Sequence, residues 1–447
     1  MARFDAVVMG SGSGGRAVAG RLADGGMDVA MAEEGAVGGE CPYWACMPSK
    51  ALLRPPEAVW AARRVPGVEA SIARWDEVAA FRDEVTSGWD DARKAARYTA
   101  RGVTILRGRA RIAGPGRVAV GGATYATERI VVATGTAATI PPVDGIGDVA
   151  VWTNREVMEM RAVPASAVVL GAGPVGVEIG QALARYGAAV TIADPADRPL
   201  PAEDPAVGDL LSRRLRGDGI DVLCGNEAVA VARDGDGVRV TFADGATRRA
   251  ARLVVAAGRS PRVEGIGLET VGVTPDATGI PVDDRCRAAD GVWALGDVTG
   301  AGLFTHVAAY QGRIAAADIL GEGDLRADYS AVPRAVFCDP EVAAVGLTAA
   351  RARDEGRDVA TATVDLADIE RASTYGRDVG GLVGVVADRG AGVLVGAHAV
   401  GPLASEWIHL AVLAVRARVP LPVVADVIAQ FPTFAEALVA AVRALDG

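Results

Sequence analysis

The stretch from Gly38 to Lys50 reads GGECPYWACMPSK and holds two cysteines, Cys41 and Cys46, with four residues between them. Two thiols this close can form and open a disulfide, a reaction carried by the thiolate. The stretch runs into the apolar ALLRPPEAVW, so the cysteines are expected at the entry of a helix, with Pro42 in its first turn. Five residues of regular helix rise about 7.5 Å, beyond the roughly 7 Å Cα separation that a disulfide tolerates. If the two are bonded, either the first turn is distorted or Cys41 precedes it, and a strained local pair opens and closes readily. A helix N-terminus also favours the thiolate. The plain alternative is two unrelated buried cysteines, since free Cys is among the most buried residue types. Cys224, Cys286 and Cys338 are isolated, lack metal-ligand spacing and read as structural, so no metal site is expected. Lys50 and Lys94 are the only lysines, so a lysine beside the cysteine pair stands out.

Two repeated units are positioned to serve that chemistry. The apolar FDAVVM at residues 4–9 reads as a buried parallel strand, followed by GSGSGG and a helix. Gly10, Gly12 and Gly15 have the GxGxxG spacing that lets a pyrophosphate approach a helix N-terminus. The next strand ends at Glu33, placed to accept from a ribose hydroxyl. A second unit begins at Ala167, with Gly171, Gly173 and Gly176 before a helix and Asp194 closing its second strand. An acid there suits the adenosine ribose of NADH and repels the 2′-phosphate of NADPH. The nearby Arg198 keeps NADPH possible. Two complete units imply two dinucleotides held for transfer between them.

Residues 51–101 read as helical, with a long amphipathic stretch from Trp75 to Tyr98, and residues 103–132 as a β-meander closing on ATGT. Thr134 and Gly135 at that turn could approach the first dinucleotide, or form a plain strand-to-loop turn. VVAAGRSPR, containing Gly258, resembles a strand leaving the second domain. VWALGDVTG ends a buried strand at Gly296 and Asp297, where the acid suits a ribityl or phosphate contact or else a simple Asx turn. The following helix carries His306, Val307 and Ala308 at its start, with amides that could face an anionic ring edge. After Val332 the pattern becomes strand-rich α+β, with helices expected from Ala404 and Pro432. His398 and His409 read as packing or surface residues.

At 447 residues the chain is too long for one core and suggests about three domains. The balance of 46 basic to 56 acidic residues, net charge -10, argues against a nucleic-acid or anionic-membrane partner. No uncharged apolar run is long enough for a membrane span, and no basic leader precedes the first strand, so a cytoplasmic protein is expected.

With two glycine units, the CxxxxC pair, PSK, ATG and GD in this order, the chain resembles the pyridine nucleotide-disulfide oxidoreductases. That family includes dihydrolipoamide dehydrogenase, glutathione reductase and mercuric reductase, and the resemblance covers essentially the whole chain. It implies an α/β fold with two Rossmann-like domains and a C-terminal α+β domain. On that pattern residues 1–148 and 263–332 bind FAD, 149–262 bind NAD(P), and 333–447 build a homodimer. It also implies that electrons pass from NAD(P)H through FAD to a disulfide at Cys46, with Cys41 as the exposed interchange thiol. Lys50 falls on the family lysine beside the flavin and Glu178 on its partner glutamate. A cation there would stabilise reduced flavin, and a buried lysine needs a partner.

The departure is at the C-terminus. Disulfide-reducing members carry His-Pro-Thr with Glu five residues after the His, an imidazole that acts as acid/base on the partner subunit's thiols. Here the segment reads QFPTFAEAL, so Phe431 occupies the His position while Pro432, Thr433 and Glu436 remain. Phe cannot transfer a proton, and general acid/base help is typically worth about 10²–10⁴-fold. Glu436 then becomes an inert remnant or a carboxylate with raised pKa in an apolar pocket. The sequence CPYWAC with this Phe is also similar to the carboxylating reductase that cleaves 2-oxopropyl-coenzyme M, although Glu436 and Ser49-Lys50 depart from it. The expected activity is reduction of an unidentified acceptor through Cys41 and Cys46. The alternatives are that carboxylation, metal-ion reduction by soft thiolates, quinone reduction bypassing the cysteines, or a flavin-binding interaction role. Against metal-ion reduction, there is no N-terminal CxxC module and no cysteine pair near residue 447.

Overall fold

The computed structural model describes residues 1–72 and 74–446. The chain forms two compact units, each assembled from three segments. The first contains Met1–Pro48, Ala80–Thr139 and Arg259–Tyr329. Its centre is a six-stranded sheet in the order Arg287–Ala289, Val292–Ala294, Arg129–Val132, Ala6–Met9, Val29–Glu33, Val103–Arg107. Ala6–Met9 pairs in parallel with both neighbours, and all four of its residues are buried. That explains its unbroken apolar sequence, since a parallel strand covered on both faces cannot alternate. The helix Ser13–Asp24 packs closely on Thr305–Leu320: a Cβ on Gly312 would lie 2.8 Å from that of Ala17 and 2.9 Å from the Gly14 carbonyl oxygen. This contact brings the start of the second helix to the glycine-rich turn. A two-stranded pairing, Thr136–Ala138 with Arg259–Pro261, adds a second rigid support.

The second unit contains Ser49–Ala79, Ile140–Gly258 and Ser330–Gly447. It has a parallel five-stranded sheet, Asp221–Cys224, Ala189–Asp194, Ser166–Leu170, Arg252–Val255, Val151–Trp152. A separate antiparallel five-stranded sheet runs Pro333–Val336, Glu341–Gly346, Val393–Gly401, Leu382–Asp388, Val359–Asp365. The architecture is thus α/β, with two Rossmann-like halves and a C-terminal α+β domain.

Several local expectations change. The stretch from Trp75 to Tyr98 is two helices, Trp75–Val85 and Ala92–Thr99, because Ser87, Gly88 and Trp89 adopt positive φ. Only residues 110–126 form the antiparallel meander; the strands on either side join the parallel sheet. The last helix begins at Glu436, not at Pro432. Among the described residues, no helix is long and apolar enough to cross a membrane.

Candidate active site

The helix after the cysteine pair spans Cys46–Arg63, so Cys46 opens it and Cys41 lies in the turn before. Pro42 belongs to that turn, where the Trp44 amide donates to the Glu40 carbonyl and the Met47 amide to that of Cys41. Of the two arrangements expected for the pair, the structure has the one in which Cys41 precedes the helix; the placement of Pro42 in the first helical turn is corrected to the turn before it. Both are free thiols and half-buried. The Cys41 thiol is pushed well above its ordinary range, first by donating to the Cys46 sulfur and then by burial. A hydrogen bond with Thr305 and the charge of Arg16 oppose this. In this arrangement Cys41 is the donor and Cys46 the acceptor. Cys46, at a helix N-terminus where negative charge is favoured, is the better seat for a thiolate. Thr305 Oγ1 stands 3.4 Å from the Cys46 sulfur, so one hydroxyl serves both cysteines.

Within the same unit lies a cradle for a dinucleotide. A Cβ on Gly10 would meet the Ala133 carbonyl oxygen at 2.3 Å, and one on Gly15 the Gly10 oxygen at 2.0 Å, whereas Gly12 faces open space. The first and third glycines fit the strand–turn–helix packing and the second leaves room for a pyrophosphate. Glu33 Oε2 accepts from the Ser11 amide at 3.0 Å and its hydroxyl at 2.6 Å, while Oε1 accepts from the Gly35 amide. Each carboxylate oxygen has a second lone pair for a ribose hydroxyl. Ser11 Oγ also accepts from the Gly38 amide, tying this cradle to the stretch that carries the cysteines. The Thr134 hydroxyl donates to the Arg262 carbonyl, while Gly135 at φ +69° faces open space. Gly296 also adopts positive φ, and the Asp297 carboxyl is raised chiefly by burial, with Arg259 and a hydrogen bond from Thr136 opposing. His306 stacks on Phe304, and Val307 and Ala308 are buried in the first turn of Thr305–Leu320, which has no side-chain cap. These residues fit FAD: open glycine, ribose acceptor and uncapped helix amides lie in one unit with the sulfurs.

The second unit repeats the cradle. A Cβ on Gly171 would meet the Ala256 oxygen at 2.3 Å and one on Gly176 the Gly171 oxygen at 1.9 Å, while Gly173 is open. Asp194 accepts from the Ala172 amide at 2.7 Å and the Ala196 amide at 2.8 Å. Arg198 is engaged by Asp197 and Asp209. Gly258 adopts φ +110° with open space beside it. Lys50 Nζ lies 2.7 and 3.0 Å from the two Glu178 oxygens and 4.6 Å from the centre of the Phe337 ring. Glu178, nearly buried, also accepts from the Phe337 amide at 2.9 Å. A carboxylate with this many donors offsets its desolvation. Phe337 was not legible as a site residue, because its part is played by a ring face and a backbone amide.

The C-terminal segment is simpler. Phe431 is 70% exposed. Glu436 accepts from the Thr433 amide at 2.8 Å, and the Thr433 hydroxyl donates to the Gln430 carbonyl. Glu436 is thus the first residue of the last helix, and its carboxylate ties back to the segment before it. Of the two readings, a structural carboxylate without a catalytic part is the one this hydrogen bond supports. Glu40, Thr136, Arg259, Arg262 and Thr305 also belong to the cysteine region of the first unit. Of these, only Glu40, directly before Cys41, carried a visible signal.

A family model described as pyridine nucleotide-disulphide oxidoreductase matches residues 4–312, and its dimerisation domain matches residues 332–442. A mercuric reductase of Streptomyces lividans is 36% identical over 453 residues, covering 97% of this chain and 94% of the relative. A dihydrolipoyl dehydrogenase of Haloferax volcanii is 34% identical, with 97% and 94% covered. The Cu(II) complex of RclA, an HOCl-induced flavoprotein disulfide reductase of Escherichia coli, superposes with a TM-score of 0.87 at 26% identity, covering 99% of this chain and 100% of that one. The chain belongs to the pyridine nucleotide-disulphide oxidoreductase family, whose members use FAD and NAD(P)H.

Proposed function

We propose that this chain, as a homodimer, oxidises NADH and reduces an acceptor through Cys41 and Cys46, without an imidazole acid/base. The observation that carries the reading is the sulfur pair, side by side and sharing Thr305, in the unit that also holds the first glycine cradle. Bound flavin supplies two-electron transfer between NAD(P)H and a disulfide. This chain's residues do the rest. Gly12 and Gly173 leave room for the two pyrophosphates, and Glu33 and Asp194 accept from the ribose hydroxyls. The acid at Asp194, and an Arg198 already engaged by two carboxylates, favour NADH over NADPH. Lys50, held by Glu178, keeps a positive charge on the nicotinamide-binding unit. Cys41 retains a proton and Cys46 carries the negative charge of the reduced pair. The dimerisation domain and the exposed Leu413, Val423, Ile428 and Phe431 support the homodimer.

The acceptor is one that needs little proton transfer, because Phe431 stands where the family's disulfide-reducing members have His. A second reading, reduction of a soft metal cation between the two sulfurs, is favoured by their adjacency and by the mercuric reductase relative. No cluster of three or more metal-ligating side chains exists among the described residues, so the sulfur pair alone would bind such a cation. The test is anaerobic NADH titration followed by an acceptor screen with native protein and Cys41→Ser. Retained turnover of every acceptor in the variant would contradict the cysteine route; selective loss with disulfides or mercuric ion would support it. Turnover requiring carbon dioxide and a β-keto thioether would instead support carboxylation.

A further inference from the structure

Glu40 immediately precedes Cys41, and its side chain is only 19% exposed. Its Oε2 accepts from Arg259 Nη2 at 2.8 Å and its Oε1 from Arg262 Nη2 at 3.3 Å. Arg259 Nε also donates to Thr136 Oγ1 at 2.7 Å, and that hydroxyl donates to Asp297 Oδ2 at 3.2 Å. A continuous polar chain therefore links the residue before the interchange cysteine to the Asp297 corner of the flavin cradle. The framework is firm: Arg259 pairs with Ala138 across an antiparallel ladder, and the Arg262 amide donates to the Gly135 carbonyl at 2.9 Å. The Glu40 carboxylate, next in sequence to Cys41, thus faces two guanidiniums, with the Asp297 carboxyl at the far end of the chain. In a partly desolvated site such charges act more strongly than in water.

We propose that the Glu40–Arg259–Arg262 cluster sets the reduction potential of the Cys41–Cys46 pair, the carboxylate lowering it and the two arginines raising it. The inference rests on the reading of Cys41 and Cys46 as the redox pair. Reduction breaks the S–S bond with two electrons from NAD(P)H and one proton, leaving one thiol and one thiolate. The field of the cluster acts on that new negative charge, so each member moves the equilibrium by the sign of its own charge. A clamp that served only to hold the turn would behave differently, because loosening it from either side would disturb the pair in one direction.

The experiment equilibrates purified holoenzyme with dithiothreitol redox buffers at pH 7, quenches with an alkylating reagent and counts modified Cys41 and Cys46 by mass. Glu40→Gln should favour the dithiol at least threefold. Arg259→Gln should favour the disulfide about tenfold, equivalent to about 30 mV for a two-electron couple. Arg262→Gln, more exposed and more distant, should shift the same way by less. Arg259→Lys, which keeps the charge, should stay close to native. Shifts of one sign in all variants, or no shift, overturn the proposal. If Arg259→Gln does not fold, Glu40→Gln and Arg262→Gln carry the same opposite-sign test. A native protein in which Cys41 and Cys46 show no dithiol–disulfide equilibrium would defeat the redox-pair reading itself.

Discussion

The cysteine corner and the C-terminal segment make an instructive contrast. Around Cys41 and Cys46 a turn, a helix N-terminus and the Thr305 hydroxyl all converge on two sulfurs. At Phe431, by contrast, the ring is largely exposed on the single chain, and Glu436 spends its carboxylate on the Thr433 amide. One corner is equipped for electron transfer, while the other lacks the group that would move protons to and from a dithiol substrate. On the proposed reading, electron delivery and proton management are separable in this fold, and this chain keeps the first without the imidazole that serves the second.

The largest effect expected is from Cys46→Ser, which should reduce NADH-driven disulfide or mercuric reduction to background in steady-state assays while leaving flavin content unchanged. Unaltered turnover would erase the contrast, because the cysteine corner would then be idle. Next, Phe431→His should raise dithiol–disulfide exchange with a lipoamide-type substrate by up to about 10²–10⁴-fold. No gain would mean that the acceptor pocket itself differs.

A pH profile sharpens the same point. Because Cys41 is held above its ordinary range, its thiolate fraction at neutral pH is small and grows about tenfold per pH unit below that raised value. Native exchange activity should therefore climb from pH 7 to 9 without a maximum, and the Phe431→His protein should show less of that climb. A native bell centred near neutrality would indicate an unrecognised base. Glu436→Gln should leave turnover unchanged and cost about 1 kcal/mol in denaturant unfolding, the difference between a charged and a neutral acceptor for the Thr433 amide; a large loss of activity would give that carboxylate a catalytic part. The smallest effect concerns the bystander thiols. Burial pushes Cys224 up to about 11 and Cys286 up to about 12, and Cys338 also upward. All three should stay unlabelled by iodoacetamide at pH 8 in the native fold, as read by mass.

Much of this was legible in the sequence where backbone geometry dictates residue type. Gly10, Gly15, Gly171 and Gly176 are required because a Cβ would strike a carbonyl oxygen, and a buried parallel strand such as Ala6–Met9 must be apolar throughout. What was illegible depends on tertiary approach. The sequence gives no register between Thr136–Ala138 and Arg259–Pro261, so the arginine grip on Glu40 could not be foreseen. The break at Ser87–Trp89 was hidden because its flanks keep helical periodicity while three residues leave helical φ. Glu436 was read through its missing imidazole partner, and its hydrogen bond to a backbone amide three residues earlier was overlooked.

The most direct test is a count of thiols. Oxidised holoenzyme is treated anaerobically with one equivalent of NADH, quenched with an alkylating reagent, and compared by mass with untreated protein. The account predicts that two new labelled sites appear, at Cys41 and Cys46. Flavin reduction without any gain of label at those two residues would contradict it.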